Sequence, residues 1–567
     1  MKWKKLNRIA AIIAALLSVS LAVYYFGFRK RGQEAVLPAA APGIVQTQPQ
    51  IVKELYIPED DRITAYLPIS DMDRKSLPDR YRLPELSRMA AEERAELVDT
   101  RQSVRRIETL ELDVTGFQFP EANYKRIYNT VRTDLDQGTA FEETAEFSGS
   151  RASELNVFLA ENNGKTVSVT SREIISDEVL NIPSDTVLLG NGVRIVPGEN
   201  APDRAILLDR VSNVRISDIT LDGGFLYGIY VKYSDHFCLE KNQVSGMGIK
   251  GIVLMGDNQY FRLADNNVQA NGDGGVYIDG DAAEGILENN RITDNLGAGN
   301  LGAGLVLCAL DIKDENTAWN PWEDLYIYDI TKAPHHLVIF NNDISGNRSS
   351  GCYSHAGFCN YILQNRIIRN EKEGMCLDYG SDGNYVAYNL IRANGGRYRM
   401  SDEDLERDFI GGHGRLPDGS SPAKLPGISL DNSAYNTIYN NLVIENYGSG
   451  IKAVRSAYRN ILLCNEITDN NQGVSETFHF FGVELATDMN ADEEVKGLDF
   501  SPCFENIIAR NTISGAHYSG IYYGIDAYVN DSFDNVIMGP THFAVECHSE
   551  KFNSVVNNPA DIGNLGV

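Results

Sequence analysis

Cysteine is scarce in this sequence, and the cysteines present do not form the spacing of a zinc ribbon or a dense disulfide framework. The 567 residues include eight cysteines and no Cys-x-x-Cys pair. Close pairs of that kind carry structural zinc or closely spaced disulfides. We therefore expect the eight side chains to be buried free thiols, which behave as small apolar residues.

Proline and positive charge are also in short supply. Nineteen prolines stand against fifty glycines, and 51 Lys and Arg stand against 78 Asp and Glu, so the formal net charge is −27. Glycine together with abundant asparagine is typical of tight turns rather than of long helices. Because binding to nucleic acid needs clustered Lys and Arg, we expect no nucleic-acid partner. The apolar fraction of 43% is ample for a core, which excludes a disordered chain.

The first 31 residues differ from the rest, because they hold seven cations and no acid. An apolar run over residues 9–28 lies between the two cation clusters, and twenty residues span a hydrocarbon core of roughly 30 Å as a helix. We expect residues 1–31 to be a membrane anchor, with a signal sequence cleaved near Ser20-Leu21-Ala22 as the alternative. In both cases the rest of the chain lies outside the cytoplasm, anchored in the cell envelope or secreted.

Three further regions follow from composition and periodicity. Residues 32–50 are rich in Ala, Pro and Gln and are predicted to be a linker. Residues 51–148 mix charge runs with predicted helices and form a charged N-terminal region to which the sequence assigns no chemistry. Residues 153–162 predict a short amphipathic helix. It opens the main domain, which we assign to residues 149–567.

A repeat of 23 or 24 residues begins near residue 205. Its unit is Asn-x-Ile/Val-x-x-Asn, followed by Gly and alternating apolar positions, and gaps of 52, 52 and 46 residues correspond to one period plus an insertion. The first asparagine of the unit occupies Asn242, Asn266, Asn290, Asn342, Asn365, Asn389, Asn441, Asn465 and Asn511. Leucine-rich repeats need a regular leucine frame, which is missing here. The period favours a right-handed parallel β-helix with coils about 4.8 Å apart, in which equivalent asparagines hydrogen-bond along the axis.

The coils resemble those of the pectin-lyase-like superfamily, which includes pectate lyases, polygalacturonases, mannuronan epimerases and the NosD-type repeat proteins. The resemblance covers roughly residues 165–545, and the helix at 153–162 resembles the cap that shields the first coil's open edge in that family. It implies an all-β fold, a right-handed parallel β-helix solenoid with an N-terminal helical cap. Here the solenoid is preceded by a membrane-anchor helix and a charged, partly helical region. The resemblance also implies a polysaccharide substrate.

Ten segments of the repeat begin with Gly and then alternate, so their second and fourth residues face the core and their third and fifth residues face outward. Equivalent outward positions stack from coil to coil into two columns. We predict four catalytic residues on one surface strip of four consecutive coils, namely His355, Asp378, Asp431 and Lys452. The predicted substrate-binding residues around them are Arg455, Arg397, Arg399, Tyr353, Trp319, Trp322 and Glu484.

Three insertions adjoin this strip. The first, about residues 309–335, contains Trp319 and Trp322, whose flat rings are suited to packing against sugars. The second, residues 395–426, contains Arg397 and Arg399, and the third, residues 487–503, is acidic and follows the Glu484 strand. Long loops on a rigid scaffold commonly build binding sites, so we expect the three to wall a groove.

The first chemistry that fits the strip is β-elimination or C5-epimerisation of a uronic acid. It needs a base near C5, a group that neutralises the substrate carboxylate, and a proton donor. His355 or Lys452 would be the base, and Arg455 or Arg399 the neutralising group. Calcium held by Asp378 and Asp431 is the alternative, and it is the one cofactor that the sequence suggests. The family's calcium lyases use a Lys or Arg base on such a strand.

Two other functions fit the same residues. Glycoside hydrolysis would use Asp378 and Asp431 as acid and as base or nucleophile. A carbohydrate-binding or structural β-helix would use the strip without catalysis. We expect the first chemistry, in an exported uronate-type lyase or C5-epimerase whose polysaccharide lies along the first sheet.

Overall fold

The computed structural model describes residues 121–311, 328–329, 332–396, 425–455, 457–472, 479–486, 503–524, 527–548, 553–556, 558 and 565–566. The predicted anchor at 1–31, the linker at 32–50 and residues 51–120 of the charged region lie outside the described residues. Within these ranges, no helix has both the length and the apolar character needed to cross a membrane.

The described chain folds into a parallel β-solenoid of about 14 turns, to which each coil contributes one strand of a fourteen-stranded sheet. This first sheet contains the Gly-initiated segments predicted from the sequence. Its strands are Leu180–Asn181, Arg204–Asp209, Tyr227–Lys232, Lys250–Met255, Val276–Asp279, Leu305–Cys308, Cys352–His355, Met375–Asp378, Ile428–Asp431, Ile451–Val454, Val483–Leu485, Ser519–Tyr523, Phe543–Cys547 and Leu565–Gly566.

The other two strands of each coil belong to a twenty-six-stranded second sheet, in which the pairings are parallel. Short connections bend the chain between these two strands, so the sheet has two limbs. Its strands are Thr144–Phe147, Thr166–Val169, Glu173–Ser176, Thr186–Pro197, Ser212–Asp222, Asp235–Glu240, Gln243–Ser245, Gln259–Ala264, Asn267–Gln269, Ile286–Glu288, Arg291–Thr293, Val338–Phe340, Asp343–Ser345, Tyr361–Leu363, Arg366–Ile368, Tyr385–Ala387, Leu390–Arg392, Thr437–Tyr439, Leu442–Ile444, Ile461–Leu463, Glu466–Thr468, Ile507–Ala509, Thr512–Ser514, Asp531–Phe533, Val536–Met538 and Ser554–Val556.

Few other elements are present among the described residues. They are helix α1 (Glu121–Gly138), helix α2 (Ala152–Glu161), a 3-10 helix at Asn300–Gly302, an antiparallel pair Leu310–Asp311 with Tyr328–Asp329, and a parallel pair Cys503–Phe504 with Ala527–Tyr528. Helix α2 lies where the sequence predicts the cap, and its buried Leu155 and Leu159 join the interior cluster.

The solenoid begins earlier in the chain than residue 149. Strand Thr144–Phe147, which the sequence analysis assigned to the charged region, pairs in register with Thr166–Val169. Helix α1 packs on the outside of the second sheet, where Ile127, Val131 and Leu135 are buried. At least residues 121–147 are therefore part of the solenoid's own packing.

The alternation within each strand explains why the chain forms these sheets. In Met375–Asp378, for example, Met375 and Leu377 lie in the interior cluster, and Cys376 and Asp378 point outward. The glycine before each such strand is required by close packing, since a Cβ at Gly351 would lie 2.6 Å from the amide nitrogen of Asn370. Six of the eight cysteine side chains are buried and two are half-buried.

Ladders of buried asparagine side chains run along the axis at the bends of the coils. In the ladder predicted from the first asparagine of the repeat, the side-chain amide of Asn365 donates to Asn389 Oδ1 at 3.0 Å, and Asn389 donates to Asn441 Oδ1 at 2.9 Å. Each side chain also donates to a buried backbone carbonyl, as Asn389 does to Ile362. The ladders thereby satisfy polar groups that would otherwise be costly inside the bends.

A second ladder follows the second asparagine of the repeat, and a third was missed by the sequence analysis. The third ladder runs along Asn360, Asn384, Asn436, Asn460, Asn506, Asn530 and Asn553. The sequence did contain a signal for the third ladder, because these asparagines precede the strands of one limb of the second sheet at the same period as the other repeats. The second ladder ends differently, since the backbone N–H of Asn470 donates to Nε2 of His517 at 3.2 Å.

We expect His517→Asn to reduce the loss of stability in acid. Burial lowers the pKa of His517 from 6.5 to about 4, and its Nε2 must be unprotonated to accept the Asn470 bond. As pH falls from 6.5 towards 4, the unfolded chain gains a proton at this site that the folded chain does not, so the free energy of unfolding decreases. Urea unfolding of both proteins across that range checks this, and parallel curves would contradict it.

Candidate functional site

The register of the first sheet forms the two outward columns that the sequence predicts. In one column Cys308, His355, Asp378, Asp431 and Val454 are successive partners on adjacent strands. In the other column the successive partners are Tyr353, Cys376, Ser429, Lys452, Glu484 and Tyr522. Register partners lie about 5 Å apart at their backbones, so both columns form one continuous strip.

Tyr353, His355 and Asp378 form a contact cluster at the centre of this strip. The hydroxyl of Tyr353 donates to Oδ2 of Asp378 at 2.9 Å and lies 3.4 Å from Nδ1 of His355. All three side chains are more than nine-tenths buried. Among the described residues, Oδ1 of Asp378 has no hydrogen-bond partner, although it is buried. Such an atom is costly unless the carboxyl group is protonated or a ligand binds it.

Burial sets the protonation states of this cluster. It raises the pKa of Asp378 to about 7, against the opposing effects of Arg455 and of the Tyr353 hydrogen bond. It lowers the pKa of His355 to about 4 and raises that of Tyr353 well above 10. Between pH 4 and 7 the three side chains are therefore mainly uncharged. A cluster of that kind is able both to donate and to accept a proton.

Two ion pairs lie beside the cluster on the following coils. The guanidinium of Arg455 holds Asp431 through Nε–Oδ1 at 2.7 Å and through a second contact between Nη2 and Oδ2. The ammonium of Lys452 lies 3.2 Å from Oε1 of Glu484, and the side chain of Lys452 is 20% exposed. Asp378 and Asp431 thus differ, since burial favours the protonated form of Asp378 and Asp431 is held in an ion pair by its arginine. The strip reaches solvent on the Lys452 side.

The predicted calcium site does not fit this arrangement. Both oxygens of Asp431 are engaged by Arg455, and Asp378 favours its protonated form. A calcium ion needs six to eight oxygen ligands, several of them ionised carboxylates. In the described ranges, no three His, Cys, Asp or Glu side chains converge as metal ligands. The cation beside Asp431 is an arginine of the same chain.

The structure brings together seven of the eleven predicted site residues. Tyr353, which was predicted to bind substrate, contacts Asp378 directly. Lys452 lies in the column next to that of His355, as the alternation predicts. The other four, Trp319, Trp322, Arg397 and Arg399, lie outside the described residues.

Two neighbours of the cluster were not among the predicted site residues. The ring of Tyr379 lies 5.3 Å from the ring of His355, and Cys376 lies between the Tyr353 and Ser429 strands. The signal for Tyr379 was its position directly after Asp378. It was overlooked because alternation along the strand stops at that residue, where the backbone turns with a φ of 37°.

We expect Arg455→Met to destabilise the fold more at pH 7 than at pH 5. The change leaves the buried Asp431 carboxylate without its cation, which costs about 3 kcal/mol in a buried pair. Protonation of Asp431 relieves part of that cost as pH falls. Urea unfolding at the two pH values measures the difference. In the control, Asp431→Asn combined with Arg455→Met should recover most of the stability at pH 7, and no recovery would contradict the ion-pair account.

A protein-family model matches this chain. The family model described as "Right handed beta helix region" matches residues 204–317 and 308–487, which together span half of the chain. No curated protein sequence matches this chain.

Several solved structures are similar to this chain at low sequence identity. The A-module of the mannuronan C-5 epimerase AlgE6 of Azotobacter vinelandii is 15% identical, with a TM-score of 0.46, over 75% of this chain and 99% of that one. The catalytic domain of a GH87 alpha-1,3-glucanase is 11% identical, with a TM-score of 0.47, over 76% and 69%. PfbA, a surface adhesin of Streptococcus pneumoniae, is 8% identical, with a TM-score of 0.41, over 70% and 92%.

Proposed function

We propose that this chain, which belongs to the family of right-handed β-helix proteins, is a polysaccharide-processing enzyme that acts on a uronic acid polymer. The reaction is removal of the C5 proton, followed by elimination or by return of a proton to the opposite face. The polymer binds along the first sheet, over the strip from His355 to Glu484. Because residues 1–31 are basic and apolar, we also propose that the protein is located at the cell envelope.

The observation that carries the proposal is the uncharged cluster of Tyr353, His355 and Asp378. An anionic polymer is repelled by a chain with 27 excess negative charges unless its binding site is locally neutral or positive. A protonated Asp378 removes the nearest negative charge and supplies a donor for the substrate carboxylate. Such a bond strengthens as the carboxylate gains charge during removal of the C5 proton, which is the condition for catalysis.

Each step can be assigned to a group in the cluster. His355, neutral above pH 4, accepts the C5 proton. In a lyase the C4–O bond then breaks while the C4–C5 double bond forms, and the leaving oxygen takes a proton from Tyr353. In an epimerase the C4–O bond stays intact and Tyr353 returns a proton to C5 from the other face. Lys452, at the solvent side, is suited to bind the carboxylate of the adjoining sugar.

Glycoside hydrolysis is the second candidate, and the difference between the two aspartates favours it. Asp378 is mainly protonated below pH 7, and Asp431 forms an ion pair with Arg455, which resembles the division of roles between a general acid and a nucleophile. Their strands are adjacent, and carboxyl groups about 5 Å apart are typical of retaining enzymes. His355 has no role in this candidate.

The full chain should be incubated with polymannuronate, polyguluronate, polygalacturonate and a neutral glucan. A lyase gives the ultraviolet absorbance of an unsaturated uronate, and an epimerase incorporates solvent deuterium at C5 without cleavage. A hydrolase gives new reducing ends without that absorbance.

Absorbance or deuterium incorporation on a polyuronate, with the glucan unchanged, supports the proposal. Reducing ends alone support the second candidate. Binding of a polymer without any of the three changes would overturn both and leave a carbohydrate-binding β-helix.

A further inference from the structure

The first sheet carries an arginine without an ion pair, five strands before the strand of His355. Arg204 begins the strand Arg204–Asp209, and its side chain is half-buried. Among the described residues, its Nε is buried without a hydrogen-bond partner, and no carboxylate lies within ion-pair distance of its guanidinium. A buried donor of this kind is costly unless a ligand binds it. In a chain with a net charge of −27, an unpaired cation on the outward side of a sheet indicates a site for an anion.

Two tyrosines hold Arg204 on the outward side of the sheet. The guanidinium carbon lies 4.4 Å from the ring centroid of Tyr230 and 5.8 Å from that of Tyr227, and the two rings meet edge to face at 5.3 Å. The side chain of Tyr230 lies outside the interior cluster, and its hydroxyl donates to the sulfur of Met255, which fixes the ring. A guanidinium that packs on an aromatic face keeps its N–H edge available for a bidentate bond to a carboxylate.

Two further cations lie beside this pair. The ammonium of Lys232 is 6.0 Å from the ring centroid of Tyr230, and the guanidinium of Arg210 is 5.1 Å from that of Tyr233, which is 46% exposed. Within the described part of the chain, Asp209 is the one carboxylate that pairs with them, at 2.9 Å from Arg210 and 3.9 Å from Lys232. Positive charge therefore exceeds negative charge here. We call the group the cationic patch, which consists of Arg204, Arg210, Tyr227, Tyr230, Lys232 and Tyr233.

The cationic patch and the strip belong to the same sheet but lie apart on it. Between the strands Tyr227–Lys232 and Cys352–His355 lie three others, namely Lys250–Met255, Val276–Asp279 and Leu305–Cys308. Four steps of about 4.8 Å separate the two by roughly 19 Å. A single sugar cannot contact both places, whereas a polymer can. Two linked contacts raise the affinity for a polymer, because the first contact increases the effective concentration of the chain at the second.

We propose that the cationic patch is a second binding site for an acidic polysaccharide, in which Arg204 binds the carboxylate of one uronate and Lys232 that of a neighbouring uronate. The exposed ring of Tyr233 is suited to packing against a sugar. The patch holds the polymer, and the strip carries the reaction. The class of ligand rests on the proposed function, but the patch binds a polyuronate whether or not the strip reacts with it.

Calorimetric titration of the full chain with polygalacturonate and with polymannuronate tests the proposal. Arg204→Met should weaken the binding of a polyuronate at least about tenfold, because the bond between guanidinium and carboxylate is lost. Arg204→Lys keeps the charge without the bidentate geometry and should weaken binding less than Arg204→Met does. The matched control is Arg194→Met, which removes the same charge from the second sheet, where Arg194 pairs with Glu173 and Asp222. It should leave the affinity within about twofold.

A second ligand tests whether the carboxylates are recognised. With the same polymer after reduction of its carboxyl groups to alcohols, the native chain and Arg204→Met should bind equally, and an undiminished effect of the substitution would overturn the proposal.

The outcomes separate this site from the proposed reaction. Binding that depends on Arg204 without any turnover would support the cationic patch and contradict the reaction. Turnover with unchanged affinity in Arg204→Met would overturn the patch alone. Equal losses in Arg204→Met and Arg194→Met, or in Arg204→Met and Arg204→Lys, would also overturn it, because the effect would then come from net charge or from the fold. If neither polyuronate binds to the native chain, both proposals fail.

Discussion

We expect His355→Ala and Asp378→Asn each to lower the turnover of a polyuronate about 1000-fold. The first change removes the group that accepts the C5 proton, and the second removes the acidic proton beside the substrate carboxylate. General acid and base groups contribute about 10²–10⁴-fold in rate, so the loss should fall mainly on kcat. Steady-state assays of product formation on the polymer that the chain processes would measure it.

The pH dependence of the same activity has a defined sign. Turnover needs His355 unprotonated and Asp378 protonated, so it should fall below pH 4 and above pH 7. Asp279→Asn is the matched control, since Asp279 is a buried aspartate of the same outward column and accepts a backbone hydrogen bond from Gly256 at 2.8 Å. It should keep turnover within about threefold. Full activity of His355→Ala with loss in Asp378→Asn would favour hydrolysis instead.

Asn389→Ala should lower the free energy of unfolding by at least about 3 kcal/mol. The side chain of Asn389 accepts from both the backbone N–H and the side-chain amide of Asn365, and it donates to Ile362 and to Asn441. Truncation leaves two donors and a carbonyl buried without partners, and each such group costs about 1–3 kcal/mol. Urea or thermal unfolding of the two proteins under identical conditions measures the difference.

The control for this ladder variant is Asn267→Ala. Asn267 is a half-buried asparagine in a strand of the same sheet, and its Oδ1 has no hydrogen-bond partner among the described residues. Its replacement should change stability by less than about 1 kcal/mol. Equal losses in the two variants would mean that the ladder bonds contribute nothing beyond asparagine burial.

The sequence predicted the columns of the site because the repeat has a fixed period and the strands alternate. A one-residue shift in register would have turned His355 and Asp378 into the core, and the glycine at each strand start prevents that ambiguity. The pattern did not predict the partners within the strip. That Arg455 would hold Asp431, and that Tyr353 would donate to Asp378, depends on rotamers and on burial, which no periodicity encodes. The contacts that make these two aspartates a poor fit for calcium are of the same kind.

The same limit applies to the outside of the solenoid. Alternation predicts which residues of Tyr385–Ala387 or Thr437–Tyr439 leave the interior, and by the usual rule an outward residue meets solvent. The outward tyrosines of these strands are buried instead. An apolar residue at an outward position was the sequence signal that something packs on the outside of the second sheet. This signal could be interpreted only once helix α1 was seen to pack there.

The asparagine ladder does not depend on the length of chain between its rungs. Asn290 donates to Asn342 at 2.9 Å across 52 residues, and Asn365 donates to Asn389 at 3.0 Å across 24. Because the rung geometry is the same, the extra residues are added at a coil without disturbing its neighbours. Coils and insertions are therefore separable modules. Exchanging residues 397–424 for an insertion of different sequence should change which sugar the strip accepts while the melting temperature of the solenoid stays nearly constant.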